Sequence, residues 1–102
     1  MSPAKGVEII ILGHSDRVML THIIAQPGAI VPDHIHPHDQ IGTCIQGEGI
    51  LTSGGKTFKT VPGSSWNIPG GESHDWRNIS KGVTILIETF APPREDYLAK
   101  AK

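Results

Sequence analysis

Apolar residues in this chain come in short β-branched runs, not at helical spacing. Val7–Leu12 is one such run, closed by Gly13, and Arg17–Ala25 (RVMLTHIIA) is another, ended by Pro27-Gly28. Ile41–Ile45 and Glu48–Ser53 follow, with Gly47 and Gly49 permitting a bend between them. The pair Gly54-Gly55 predicts a hairpin turn over Ser53–Lys56, because glycine adopts positive φ cheaply, and Thr57–Val61 then pairs back across it. Ser64–Ile68, Ser73–Arg77 and Val83–Phe90 complete the set of strands. Only Arg94–Lys102 (REDYLAKAK), after a proline pair, carries helix-favouring residues, and it reads as a solvated end. Many short strands punctuated by glycine and proline, without helices between them, predict a small all-β barrel or sandwich.

The strand Val83–Phe90 adds a quaternary expectation. It alternates Ile85, Ile87 and Thr89 on one face with Leu86, Glu88 and Phe90 on the other. Two largely apolar faces on one strand call for an outer cover, and in so small a domain a second subunit is the expected one, giving a homodimer.

Totals narrow the class. A chain of 102 residues supports one domain, 1–102, and buries roughly 60–70% of its unfolded surface, enough to stand without staples. The single cysteine, Cys44, rules out an internal disulfide and fits a reducing compartment. Net charge is −1 and no run of lysine or arginine occurs, so neither nucleic acid nor an anionic membrane surface is the expected partner. The longest apolar run, Ile9–Leu12, is far short of a membrane span, and Met1–Val7 lacks signal-peptide features. A cytoplasmic protein is the expectation.

The stretch HIHPHDQ, His34 to Gln40, packs three histidines, an aspartate and a glutamine into seven residues. On a strand, residues i and i+2 share a face, so His34 and His36 can grip one ion from one side. Gln40, beyond Pro37, offers a neutral carbonyl oxygen. His74, after the turn IPGGES, is the candidate fourth ligand. Against this stands a bland reading, in which loop histidines serve solubility or local hydrogen bonding. His14 and His22 have no companion spacing and read as surface or core residues. His38 and Asp39 could orient the ligands from behind, but a solvated turn beside Pro37 is the preferred assignment.

Two stretches together carry a family resemblance. Residues 28–47 read GAIVPDHIHPHDQIGTCIQG and residues 63–78 read GSSWNIPGGESHDWRN. They resemble the two cupin motifs, G(x)5HxH(x)3–4E(x)6G and G(x)5PxG(x)2H(x)3N, with glycines, proline, histidines and asparagine in register. The resemblance implies a double-stranded β-helix of jelly-roll type with a short C-terminal helical tail. It also implies one divalent metal ion inside the barrel, held by His34, His36, Gln40 and His74. Gln40 departs from the broad pattern, which has glutamate. A set of three histidines and a glutamine carries one less negative charge, leaving the ion a stronger Lewis acid. Zinc, nickel, manganese and iron all accept such ligands.

A narrower resemblance concerns function, which the barrel alone does not fix. HPHDQIGTCIQGEG, the IPGGESH turn and ETFAPPREDYL together are similar to the small sugar-acid cupins of the KdgF type. These convert 4,5-unsaturated uronates released by pectin and alginate lyases to the linear keto acid. Their metal set has glutamine at the place of Gln40. The resemblance implies Glu88, Phe90 and Arg94 as catalytic-site residues, although the family more often has aspartate at the first position. Glu88 would therefore move the carboxylate by about a bond length.

The reaction itself makes matching demands. Opening a cyclic enol ether needs a polarised oxygen, a proton delivered to carbon and an anchor for the substrate carboxylate. The metal answers the first, Glu88 the second and the bidentate fork of Arg94 the third. Each has a plain alternative: Glu88 as a rim carboxylate paired with Arg94, and Phe90 as barrel filling. Trp76 shares a strand face with His74 and could stack on a sugar ring, yet Trp76 and Trp66 could equally be packing. Cys44 shares the parity of Gln40 and reads as a buried inert thiol. Two other functions stay open: a small dioxygenase on iron or copper, and a metal-assisted cupin that binds a sugar or other small ligand, such as a carboxylate or sugar acid, without turnover.

Overall fold

The computed structural model describes residues 1–101, and the Lys102 end of the expected helix lies outside them. The strands are β1 (Val7–His14), β2 (Met19–Ala25), β3 (Ile30–His34), β4 (Asp39–Gln46), β5 (Gly49–Ser53), β6 (Lys56–Thr60), β7 (Ser65–Ile68), β8 (His74–Asn78) and β9 (Thr84–Ala91). One helix, α1 (Glu95–Ala101), follows. They form two antiparallel sheets, one in the order β1-β2-β9-β4-β7 and one in the order β3-β8-β5-β6. This is the double-stranded β-helix that the motifs implied. None of the described helices is long and apolar enough to cross a membrane.

Alternation sorts side chains between the interior and the outer faces. Val7 and Ile9 of β1, Met19 and Ile23 of β2, and Leu86 and Phe90 of β9 all point inward and are buried. Leu51 and Trp76 close the interior from the second sheet. Burying one such side chain fully is worth about 1.5–3 kcal/mol. The outward-facing Ile85 and Ile87 are only half-buried, and Ile10, Leu20, Ile41 and Ile45 on the same sheet are exposed.

Glycine serves the turns as expected at β5–β6, where Ser53 faces Lys56 and both Gly54 (φ 58°) and Gly55 (φ 78°) have positive φ. Two expectations are corrected. Ile30–His34 is a strand of its own that the apolar runs did not announce. The C-terminal segment is no solvated end, because Arg94 and Tyr97 are each only 8% exposed and Tyr97 joins the core. The sequence near α1 is polar, but Phe90, Arg94 and Tyr97 pack on one another, and that contact draws the segment onto the barrel mouth.

Candidate metal centre and ligand cavity

β3 carries one extra residue against β8. Val31 faces Trp76 and His34 faces His74, so Pro32 and Asp33 on one strand lie opposite Asp75 alone on the other. Strict alternation would send His34 outward if Val31 pointed inward; the bulge at Pro32–Asp33 restores it to the inner face. Pro32, with no N–H to give to a ladder, is tolerated there. The strand ends at His34, so His36 is not its i+2 partner on a strand. It reaches the same point from the following irregular stretch.

The three imidazoles nevertheless converge. Ring centroids of His34 and His74 are 4.2 Å apart, those of His36 and His74 4.9 Å, and those of His34 and His36 5.4 Å. One ring nitrogen from each lies within 4.8 Å of the others. Each Nδ1 donates to a backbone carbonyl: His34 to Pro32 (2.8 Å), His36 to His38 (3.1 Å) and His74 to Glu72 (2.9 Å). These bonds fix the tautomer and leave Nε2 as a bare lone pair on all three rings. Nε2 of His74 is buried without a partner. Burial first, and then the positive charge of Arg94, holds His36 down at about 4; burial likewise lowers His74. Both imidazoles are thus neutral and able to ligate near neutral pH.

Gln40 extends the set. Its Oε1 lies 3.0 Å from Nε2 of His36. With the His36 proton on Nδ1, that contact brings two electron-pair donors together, an arrangement a cation between them relieves. The residues therefore fit a divalent ion with mixed imidazole and oxygen ligands. His38 contributes through its backbone carbonyl and Asp39 through its carboxylate, which accepts from the Gly70 N–H (2.8 Å) and ties the two motifs together. Asp39 is exposed beside Pro37, as expected of it, whereas His38 is half-buried at the bend. His14 is exposed and His22 half-buried on the outer face, away from the cluster.

A cavity of about 260 Å³ opens beside these ligands, lined by His34, Gln40, His74, Glu88, Phe90 and Arg94 among others. His36 stands behind it, its ring 5.8 Å from that of Phe90. Glu88 is 3% exposed and accepts from the Trp66 indole N–H at 3.1 and 3.3 Å. Burial pushes its carboxyl up to about 7, against the opposing pull of hydrogen bonds from Gln40 and Trp66. It is neither on the rim nor paired with Arg94. Phe90 is both core and cavity wall. Trp76 lines the cavity, but its N–H donates to Thr60, and Cys44 is the buried thiol expected, its pKa raised by burial.

Arg94 corrects the sequence reading in one respect. Its Nε and Nη2 already donate to the two carboxylate oxygens of Asp96, at 3.0 and 2.9 Å. One fork of the guanidinium is thus engaged within the chain. Its Cζ lies 4.0 Å from the Tyr97 ring centroid and 5.1 Å from that of Phe90, and Nη1 is buried without a partner. Sequence reasoning missed Trp66 as the partner of Glu88, and Asp96 and Tyr97 as the holders of Arg94. For Trp66 a signal existed: Gly42, at an inward position of β4, marks a close approach of neighbouring side chains.

Comparison with known proteins agrees with this geometry. KdgF from Halomonas sp. superposes with a TM-score of 0.89 at 26% identity, over 95% of this chain and 88% of that one. An RmlC-like cupin from Shewanella frigidimarina superposes with a TM-score of 0.86 at 28% identity, over 94% and 85%. The HTH-type transcriptional regulator PuuR of Escherichia coli (strain K12) is 35% identical over 68 residues. That match takes in 66% of this chain and 37% of the regulator, so the chain spans little more than a third of this curated relative's length. The model of the cupin domain family matches residues 21–90, both histidine motifs included, and the chain belongs to the cupin family.

Proposed function

We propose that this cupin opens the ring of a 4,5-unsaturated uronate to give the linear keto acid, with a divalent metal ion held by His34, His36, Gln40 and His74. The observation that carries the reading is convergence. Glu88, Phe90 and Arg94, picked out by their likeness to the KdgF-type strand end, line the same cavity as His34, Gln40 and His74. The likeness in fold to KdgF from Halomonas sp. supports it.

The ion, when bound, polarises a substrate oxygen as a Lewis acid. Arg94 anchors the carboxylate that sits on the double bond. Glu88, the buried carboxyl of the cavity, moves the proton: it leaves the anomeric hydroxyl as the bond from that carbon to the ring oxygen breaks, and arrives at the alkene carbon remote from the carboxylate. An aldehyde forms at one end and a ketone beside the carboxylate, so atoms and electrons balance without a co-reactant. Phe90 and the aliphatic walls exclude water from the site. A cavity of about 260 Å³ falls just below the ~300–1,000 Å³ of sites for larger ligands, which suits a single sugar ring.

A second reading has one specific support: the regulator PuuR matches over 66% of this chain. On that reading the barrel binds a small anion and turns nothing over. An ultraviolet assay on a lyase-generated unsaturated uronate, with and without chelator, separates the two. Metal-dependent loss of the conjugated absorbance is the expected result. Full absorbance with a demonstrably metallated protein overturns the catalytic reading and leaves the binding one.

A further inference from the structure

The guanidinium of Arg94 is unusual in being both engaged and unfinished. Of its five N–H donors, two are spent on Asp96 in a parallel, two-point contact. The Arg94 side chain is 10% exposed, whereas that of Asp96 is 53% exposed, so the acid reaches in from the surface to a cation the chain has buried. The Tyr97 ring centroid lies 4.0 Å and the Phe90 centroid 5.1 Å from its Cζ, and the two rings stand at 88° to each other. The guanidinium is therefore packed against two rings, which restricts its movement. What remains is the outer edge, formed by Nη1 and the second hydrogen of Nη2. Nη1 is buried and has no partner, a costly arrangement unless a ligand completes it.

We propose that Asp96 is the positioning residue of a carboxylate subsite: by taking the Nε/Nη2 edge of Arg94, it leaves the outer Nη1/Nη2 edge as the one on which a ligand carboxylate docks. Tyr97 holds the plane while Asp96 fixes its roll. Asp96 borders the same cavity, and its part there is to orient Arg94. The inference rests on the reading of Arg94 as the carboxylate anchor, but it does not depend on which carboxylate is bound or on turnover.

Position is what such a clamp supplies. An unclamped arginine has several rotatable bonds to freeze on binding, and a displacement of about 1 Å at an anchoring group can cost on the order of 10²-fold. A simple surface ion pair would do none of this, since exposed pairs are screened by solvent and hold neither partner in one geometry. The Arg94 hydrogen bond is also the first cause that holds the Asp96 carboxyl below its ordinary value, so the pair is intact across the neutral range.

The test uses the zinc-loaded protein, labelled with nitrogen-15, in wild-type, Asp96→Asn and Asp96→Glu forms. The Arg94 Nε–H resonance is followed, and acetate and D-galacturonate are titrated as carboxylate probes, with D-galactose as the uncharged control. Wild type should show a separate Nε–H signal protected from solvent exchange, which shifts with both carboxylates and not with galactose. Asp96→Asn should lose the protection and bind either carboxylate about 10-fold more weakly, with zinc content unchanged, and Asp96→Glu should recover most of the affinity. Asp96 is half-exposed, so its replacement leaves the fold standing; the wild-type spectrum also tests the clamp without any variant. An Nε–H signal indifferent to Asp96→Asn, unchanged carboxylate affinity in that variant, or no carboxylate response in wild type would each overturn the proposal. Binding without ring opening would instead remove the uronate reading and leave this one intact.

Discussion

Replacing Gly42 by alanine tests the placement of the buried Glu88 carboxyl without touching it. Gly42 lies on the inner face of β4, opposite Trp66 of β7 on one side and Glu88 of β9 on the other. A Cβ at this position would stand 2.5 Å from Cδ of Glu88 and 2.6 Å from Nε1 of Trp66. Both neighbours are buried, at 3% and 8% exposure, so neither can swing into solvent to make room. Overpacking of this kind costs about 1–3 kcal/mol. Pushing the two side chains apart also breaks the indole–carboxyl hydrogen bond, a further cost of about 1–3 kcal/mol for a buried group left unpaired. The lower backbone entropy of unfolded alanine returns about 0.4–1 kcal/mol.

The net expectation is a loss centred on about 3 kcal/mol, and at about 4–8 °C per kcal/mol the Tm falls by roughly 12–24 °C. Circular dichroism melts in the presence of chelator read this directly, free of stabilisation by bound metal. Gly13→Ala is the control: nothing lies within 4 Å of its Cβ and its φ is not positive, so its Tm should hardly move. A Gly42→Ala protein melting within about 3 °C of wild type would mean that Glu88 and Trp66 do not pack over Gly42, and the buried acid would lose its structural basis.

His36→Ala should leave the fold intact and strip the bound metal; full occupancy by elemental analysis would refute the ligand set. Asn78 donates to the carbonyls of Ala25, Gln26 and Gly82 and accepts from Ser80 and Thr84, so Asn78→Ala should cost about 2–4 kcal/mol. A urea-denaturation curve checks it, and an unmoved midpoint would show that this motif residue is not the structural hub it resembles. Cys44, 1% exposed and with its pKa raised by burial, should react with a disulfide reagent only at the rate of unfolding, which a labelling time course in increasing urea measures. The exposed Ile41 and Ile45 share an outer sheet face with Ile10 and Leu20. Sedimentation should find a dimer that Ile41→Lys dissociates, and a monomeric wild type would remove the homodimer.

The barrel was legible because its strands are written in the residue types that punctuate them. Glycine pairs and proline stops mark the ends of β5, β6 and β9 within a residue or two. Strand β3 was not legible, since Ile30–His34 has only two β-branched residues and a proline at its centre; its bulge is set by the partner strand β8. The cluster of His34, His36 and His74 was legible from spacing, yet the reason was partly wrong, because His36 lies past the strand end and is aimed by the His38 carbonyl. Arg94 was legible as a cation near an expected cavity. Its occupied fork was not, because a contact between residues two apart depends on backbone geometry that the letters REDY leave open.

One departure from the broad cupin pattern acquires a physical reason only when the two halves of the site are taken together. Gln40 faces the imidazole cluster with its carbonyl oxygen and Glu88 with its amide. A glutamate at this position would serve the cluster equally well, and with more charge. It would also set a second carboxyl against Glu88 in the buried interior, where two like charges cannot both be sustained. A side chain that accepts on one side and donates on the other fits the boundary between a cation site and a buried acid. Glutamine has that property at neutral pH and ionised glutamate does not. The glutamine at position 40 is thus tied to the acid at position 88, and the two belong to one design.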